Sequence, residues 1–244
     1  MSIPRFAARR PPRRRASAKE FVYNTLRHSI LHLHLKPGTK MSEQEISEEF
    51  KVSRTPVREV FVHLHQDGLV EIYPQRGTYV SLINLESMEE GRWVREIVET
   101  AVVEEAAGRL SDDHIRELEY NLAAQEQCCQ NQDYLRMLAL DDEFHAAIFR
   151  ACGKQLTYDM VKQLNLDFYR VRVLRLSHDS NWEQILRQHQ AVFQALREGK
   201  AQEARKIMTD HLRMIMVEED ELLAQYPGYF VQASRVGTAK GWSL

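Results

Sequence analysis

The chain has 244 residues, 43% apolar and 28% charged, so it can bury a core and is not globally disordered. No apolar run approaches the roughly 18 residues of a membrane span, and the basic start lacks the apolar stretch of a secretory signal. The net charge of −2 hides a split: residues 1–80 carry 14 Lys+Arg against 8 Asp+Glu, while residues 81–244 carry 19 against 27.

That polarity suggests one part that meets a polyanion and one that does not. The three cysteines, Cys128, Cys129 and Cys152, do not make a disulfide framework, which points to a reducing cytoplasm. Residues 1–16 hold six arginines and three prolines. They are expected to form a disordered arm, either a solubilising leader or a tether to phosphate.

Order is expected from Ser17, where "SAKE" reads as a capping box. Val22, Leu26, Ile30 and Leu33 then form a helical stripe that "KPGT" stops. A second box, "SEQE" from Ser42, opens a short helix ending near Phe50. After a tight turn, Ser53 caps a third helix that runs to Asp67, with Gly68 as its C-terminal stop. "LVEIYPQRGTYVSLI" predicts two strands, near 69–72 and 78–82, joined through Pro74 and Gly77. Three helices and a hairpin outline a winged helix-turn-helix over residues 17–82. Beyond Ser87 the pattern is helical throughout, with breaks near 108–112, 130–133, 153, 179–181 and 199. The fold class is therefore mainly α: a winged helix-turn-helix followed by an all-α bundle of about six helices over 87–222. The tail, 223–244, shows no strong pattern.

The third helix carries a separate signal. Val57, Val60, Phe61 and Leu64 share its apolar face, whereas Ser53, Arg54, Thr55 and Arg58 lie at its start on another. A helix N-terminus attracts phosphate, and an arginine fork matches guanine O6 and N7. Arg76 and Gly77 at the hairpin tip suit the DNA backbone or a narrow minor groove. Double-stranded DNA is the expected partner.

With those residues in hand, "LKPGTKMSEQEISEEFKVSRTPVREVFVHLHQDGLVEIYPQRGTYV" resembles the N-terminal domain of the GntR family of bacterial transcription regulators. The resemblance implies DNA contacts from Ser53, Arg54, Thr55, Arg58, Arg76 and Gly77. Gln44 departs from it, standing where some members place an arginine to phosphate.

In the helical part, Leu138, Asp141, His145, Ile148 and Cys152 are spaced 3, 4, 3, 4, so Asp141 and His145 share one otherwise apolar stripe. His189 and His211 sit on two further apolar stripes, nearly level across the turn at Gly199. One such histidine is ordinarily a satisfied core residue. Three histidines and an aspartate facing inward suit one divalent ion, zinc first, nickel or manganese next. Asp142 and Glu143 fall off the stripe and are expected in solvent.

This half resembles the FCD ligand domain of the FadR-like GntR subgroup, and the Asp-x-x-Phe-His element and two later histidines match its metal-binding members. The resemblance implies Asp141, His145, His189 and His211 as metal ligands. It also implies Arg95, on "WVREIVETAVVEEAA", facing a cavity, where it could hold a ligand carboxylate. Arg172 is a second ligand candidate. For either arginine the alternative is an ion pair one turn away, with Glu99 or Asp167. The expected function is a ligand-responsive transcription regulator, in the family most often a repressor. It would act as a homodimer on an inverted-repeat operator, with a small carboxylate as effector. A metal-sensing regulator is the alternative. A metal-dependent hydrolase is disfavoured, since the stripes bring no general base, phosphate loop or paired nucleophile.

Overall fold

A computed structural model of the chain describes residues 15–175, 182–214 and 219–231. The expected arm up to residue 14, the break at 179–181 and the tail beyond 231 lie outside the described residues.

The head opens with α1 (Arg15–Leu31), so Ser17 lies inside that helix rather than capping it. A two-residue strand, β1 (Lys40–Met41), precedes α2 (Glu43–Phe50) and α3 (Arg54–Gln66). Strands β2 (Val70–Tyr73) and β3 (Gly77–Val80) complete a three-stranded antiparallel sheet of order β1-β3-β2. β1 is too short to carry a period-2 signal and was not expected. Ser42 caps α2 by accepting from Glu45 N at 3.1 Å, and its hydroxyl donates to the Glu45 carboxylate at 2.9 Å. Ser53 takes the N-cap position of α3 without a side-chain capping bond. The wing turns through three residues between the paired Tyr73 and Gly77, with Gln75 at φ 61° and Gly77 at φ 118°. The apolar faces of these elements, including Leu26, Phe50, Val57, Val60 and Leu64, meet in one core.

The body comprises α4 (Leu85–Ala106), α5 (Asp112–Asn131), α6 (Tyr134–Ala151), α7 (Gln155–Leu164), α8 (Leu166–Arg175), α9 (Trp182–Arg197), α10 (Ala201–Arg213) and α11 (Glu219–Gln225). A single helix was expected between Gly153 and residue 179. The chain instead breaks at Asn165, a residue that gives no Gly or Pro signal, and two ten-residue helices result. Gly91 on α4 lets α7 end against it: a Cβ there would sit 2.8 Å from the Leu164 carbonyl oxygen. The main body core packs α4, α5, α6, α9 and α10 around Phe144, Ile148, Val192 and Met208.

Helix α8 ties head to body. Leu166 enters the head core. Tyr169 Oη lies 3.1 Å from His32 Nε2, just beyond α1. The fully buried Arg170 donates to the carbonyls of Ser81 (2.7 Å) and Leu82 (3.2 Å) in the linker and pairs with Asp167, which accepts from Asn84 N at 3.1 Å. The segment after α11 returns to the same linker. Ile83 N donates to Tyr229 O (2.8 Å), Val231 N donates to Ile83 O (2.9 Å), and Phe230 is buried. Within the expected patternless tail, residues 223–225 thus end α11, and Tyr229 to Val231 pair with the linker over an apolar patch that includes Ile83, Met88 and Phe168.

Candidate DNA-binding face and metal centre

Two features of the fold carry chemistry. The first is the outer end of α3. Its apolar side is fully buried at Val57, Val60 and Leu64, which turns Ser53, Arg54, Thr55 and Arg58 to solvent on one exposed end. Pro56 lies in the first turn, where its missing N–H is no loss. Both arginines are held by α2. Arg54 donates to Gln44 Oε1 at 3.0 Å, and Arg58 grips Glu43 with two bonds of 2.9 and 3.0 Å. The Arg58 hydrogen bond in turn draws the Glu43 carboxyl below its ordinary range. Gln44, the departure noted in the sequence, therefore orients Arg54. Arg76 is exposed at the wing tip, and the stem of exposed Lys40 crosses Gly77. Sequence reasoning missed both Lys40 and Glu43.

The second feature lies inside the body. Asp141 and His145 of α6, His189 of α9 and His211 of α10 are all buried, at 0–2% exposure, and offer ligand atoms within 4.8 Å of one another. The turn at Gly199, in left-handed backbone at φ 70°, brings α9 and α10 side by side, which levels His189 with His211. His145 Nε2 lies 3.2 Å from His211 Nε2, and His189 Nε2 lies 3.3 Å from the same atom. His189 Nε2 is also 3.5 Å from Asp141 Oδ1.

The surroundings fix which way these rings are protonated. The Leu140 carbonyl can only accept, so the Asn121 amide nitrogen donates to it at 3.0 Å. Asn121 Oδ1 then accepts from Gln125 Nε2 at 2.6 Å, which leaves Gln125 Oε1 facing His189 Nδ1 at 2.8 Å. His189 therefore carries its proton on Nδ1 and points a lone pair inward from Nε2. His211 Nδ1 faces Gln188 Oε1 at 3.0 Å in the same manner. His145 Nδ1 lies 2.5 Å from Glu99 Oε2, but the two are poorly aligned and neither has another hydrogen-bond partner. Burial keeps His189 neutral, lowering its pKa to about 3, and drives His211 well below its ordinary value. Burial opposes ionisation of Asp141 and Glu99 as well. Arg172 and the histidines nevertheless hold Asp141 well below the carboxylate range, and Arg95 and His145 bring Glu99 down to about 2.

Two imidazole lone pairs facing each other at 3.3 Å repel, and a cation between them relieves that. An ion bonded to nitrogen at about 2.0–2.1 Å sets neighbouring tetrahedral ligands roughly 3.3 Å apart, which matches the nitrogen spacing here. Asp141, His145, His189 and His211 could therefore hold one divalent ion. Glu99, Gln125 and Gln188 would orient the imidazoles from outside, as carboxylate and amide oxygens do around metal-bound histidines.

Both expected ligand arginines are buried and committed to carboxylates. Arg95 Nε lies 2.5 Å from Glu99 Oε1, the one-turn ion pair foreseen as its alternative. Arg172 pairs with Asp141 and, at 2.9 Å, with Asp142; it does not pair with Asp167, which holds Arg170 instead. Asp142 is therefore half-buried and ion-paired rather than solvated, whereas Glu143 is exposed. Arg95, Arg172 and Glu99 line a cavity of about 210 Å³. The four clustered donors are not on its wall.

A winged helix-turn-helix joined to a helical bundle with a buried polar centre defines a DNA-binding transcription regulator. Residues 18–80 match the model of "Bacterial regulatory proteins, gntR family", and residues 90–214 match that of the FCD domain. The chain belongs to the GntR family, in the group that carries an FCD domain. It is 37% identical over 194 residues, 80% of this chain and 85% of the relative, to the HTH-type transcriptional repressor RspR of Escherichia coli (strain K12). A further relative is an HTH-type regulator in an unstable DNA locus of Streptomyces ambofaciens, 31% identical over 86% of this chain and 88% of its own length. Among solved structures, E. coli McbR/YncC shares the fold with a TM-score of 0.72 at 19% identity, over 86% of this chain and 98% of that one. Proteins of this kind are regulators and not enzymes. Among the described residues no helix is long and apolar enough to cross a membrane.

Proposed function

We propose that this regulator is a repressor that binds an inverted-repeat operator as a homodimer, and that a small carboxylate bound near a divalent ion in the body sets its grip on DNA. Two relatives support repression by their descriptions: RspR, and the galactonate operon transcriptional repressor of E. coli, 29% identical over 71% of this chain and 84% of its own length. Residues 17–82 form the DNA-binding unit and 87–222 the sensing unit. Ser53, Arg54, Thr55 and Arg58 lead α3 into the major groove, while Arg76 and Gly77, joined by Lys40, meet the backbone at the wing. To reach DNA, Arg58 exchanges the Glu43 carboxylate for phosphate or a base edge. Trp93 and Ile97 on α4 and Leu156, Met160 and Leu164 on α7 leave large apolar side chains in solvent, which supports a second copy packing there. Free cysteines at 128, 129 and 152 suit the reducing cytoplasm where operator DNA lies.

The convergence of three buried imidazoles and the buried Asp141 carries the sensing half of the proposal. Asp141, His145, His189 and His211 would hold zinc, with nickel or manganese as substitutes, and the bound ion would supply a Lewis-acidic anchor. Arg95 and Arg172 would receive the effector carboxylate by trading away Glu99 and Asp142. Helix α8 supports the coupling, because Arg172 touches Asp141, Arg170 holds the linker and Tyr169 reaches His32. An effector that moves Arg172 would bias how the heads sit. One observation favours the alternative of metal sensing: the donor atoms lie behind the cavity wall, so an ion could act with no organic ligand.

The test is metal analysis of protein purified without chelator, then operator titration of holo and EDTA-treated protein with and without carboxylic acids. We expect about one ion per chain, lost in His145→Ala and His211→Ala. No metal uptake by the native chain would end the metal proposal. A change in DNA affinity on stripping alone would select metal sensing.

A further inference from the structure

The 210 Å³ cavity lies between the two halves of the molecule, not within the body. One wall is α1 of the DNA-binding head, through Arg27, His28 and Leu31, with His32 just beyond it; the others are α4, α6, α7 and α8.

Its wall carries four fixed cations, Arg27, Arg95, Lys162 and Arg172, against two carboxylates, Glu99 and Asp142. These charges are unevenly matched. Arg95 is neutralised by Glu99, and Lys162, 3.4 Å from Asp142, shares that carboxylate with Arg172. Arg172 also draws on Asp141 behind the wall. Among the described residues Arg27 has no carboxylate within ion-pair distance, although it is half-buried and faces the cavity. Counting Asp141, one positive charge is left over, and it sits at the head end on Arg27, whose neighbour is the Tyr23 hydroxyl.

We infer that this seam takes a small dianion, one anionic group received by Arg95 and Arg172 on the body and the other by Arg27 on the head helix, with Lys162 beside it. This rests on the carboxylate-effector proposal and adds a second anionic group to it. A monoacid satisfies one end only. A dianion bridges head and body, so the effector itself becomes part of the joint that sets head orientation. Two carboxylates or a carboxylate and a phosphate meet the same requirement.

The test is isothermal titration of the zinc-loaded full chain at fixed ionic strength. The probes are malonate, succinate and glutarate as dianions and phosphoglycolate, with a charge of roughly −3, as the carboxylate–phosphate case, with acetate and butyrate as monoanionic counterparts. We expect the best dianion to bind at least about tenfold tighter than the best monoanion, as one added charge-assisted contact implies. Arg27→Gln should remove that advantage while leaving butyrate affinity and operator binding without effector unchanged; Lys162→Gln should weaken the dianion less. Phosphoglycolate binding in place of the dicarboxylates would support the same site and identify its anion as phosphate. Monoanions binding as tightly as dianions, or a dianion indifferent to Arg27→Gln, would overturn this inference and leave the single-carboxylate effector standing. Binding of no acid of either charge would overturn both.

Discussion

Arg172→Gln separates the two duties proposed for Asp141. Arg172 is 7% exposed and closes on Asp141, itself 2% exposed, and on Asp142 at 2.9 Å. Removing one member of a buried pair strands the other charge, which costs about 3–5 kcal/mol. For a chain of this size each kcal/mol is about 2–4 °C, so metal-free protein should lose roughly 6–20 °C in Tm. The metal-loaded protein should lose far less, because the ion meets the stranded carboxylate. Saturating zinc at about a hundred times Kd adds about 2.7 kcal/mol, and the variant should keep that gain or enlarge it. Calorimetry of EDTA-treated and zinc-loaded forms of both proteins gives the four values needed. Equal losses with and without zinc would refute the reasoning: Asp141 would then be the counter-ion of Arg172 and not a metal ligand.

Glu43→Gln should tighten operator binding, since it frees Arg58 from its two-bond grip, while Arg58→Ala should weaken it by about 1–3 kcal/mol and lower the salt slope; fluorescence anisotropy across a salt series reads both. Gln125→Leu takes the acceptor from His189 Nδ1 and should lower zinc affinity about 10–100-fold in competition with a chelating dye. Metal-free protein should lose stability as pH falls. His189 binds protons in the unfolded chain from its ordinary 6.5 but in the fold only near 3, so its contribution is complete above about 6.5 and lost toward 3. Asp141 and Glu99, held low in the fold, act with the same sign below about 4, and a Tm flat from neutral pH to about 4 would contradict this. Phe230→Ala, at a site 2% exposed, should cost about 3–5 kcal/mol in thermal unfolding if the returning segment is part of the core.

The elements that repeat a period were legible in the sequence. α2, α3 and the wing followed from capping residues, the apolar stripe and Pro74 to Gly77, and the meeting of His189 with His211 followed from counting outward from Gly199. Beyond the inward stripes that carry Asp141, His145, His189 and His211, contacts between elements far apart in the chain were not legible. Nothing near Asp141 announces Arg172, and nothing near His145 announces Glu99, because side-chain partners on different helices leave no spacing to read. Gln125 and Asn121 did leave a trace, as polar residues on the buried stripe of Leu118 and Leu122, and reading that stripe would have found them. The division of α7 from α8 at Asn165 comes from packing against α4 at Gly91, a tertiary cause with no local sign.

The pairing of Ile83 with Tyr229 and Val231 has a bearing on how the molecule is made. On the ribosome the first 80 or so residues emerge first, with Leu166 of α8 still to enter their core, and most of the bundle follows. The joint between them stays unfinished until residue 231 has left the exit tunnel and lain down beside Ile83. A nascent head could therefore meet DNA while its orientation is still unset, until that pairing brings it under the body's control.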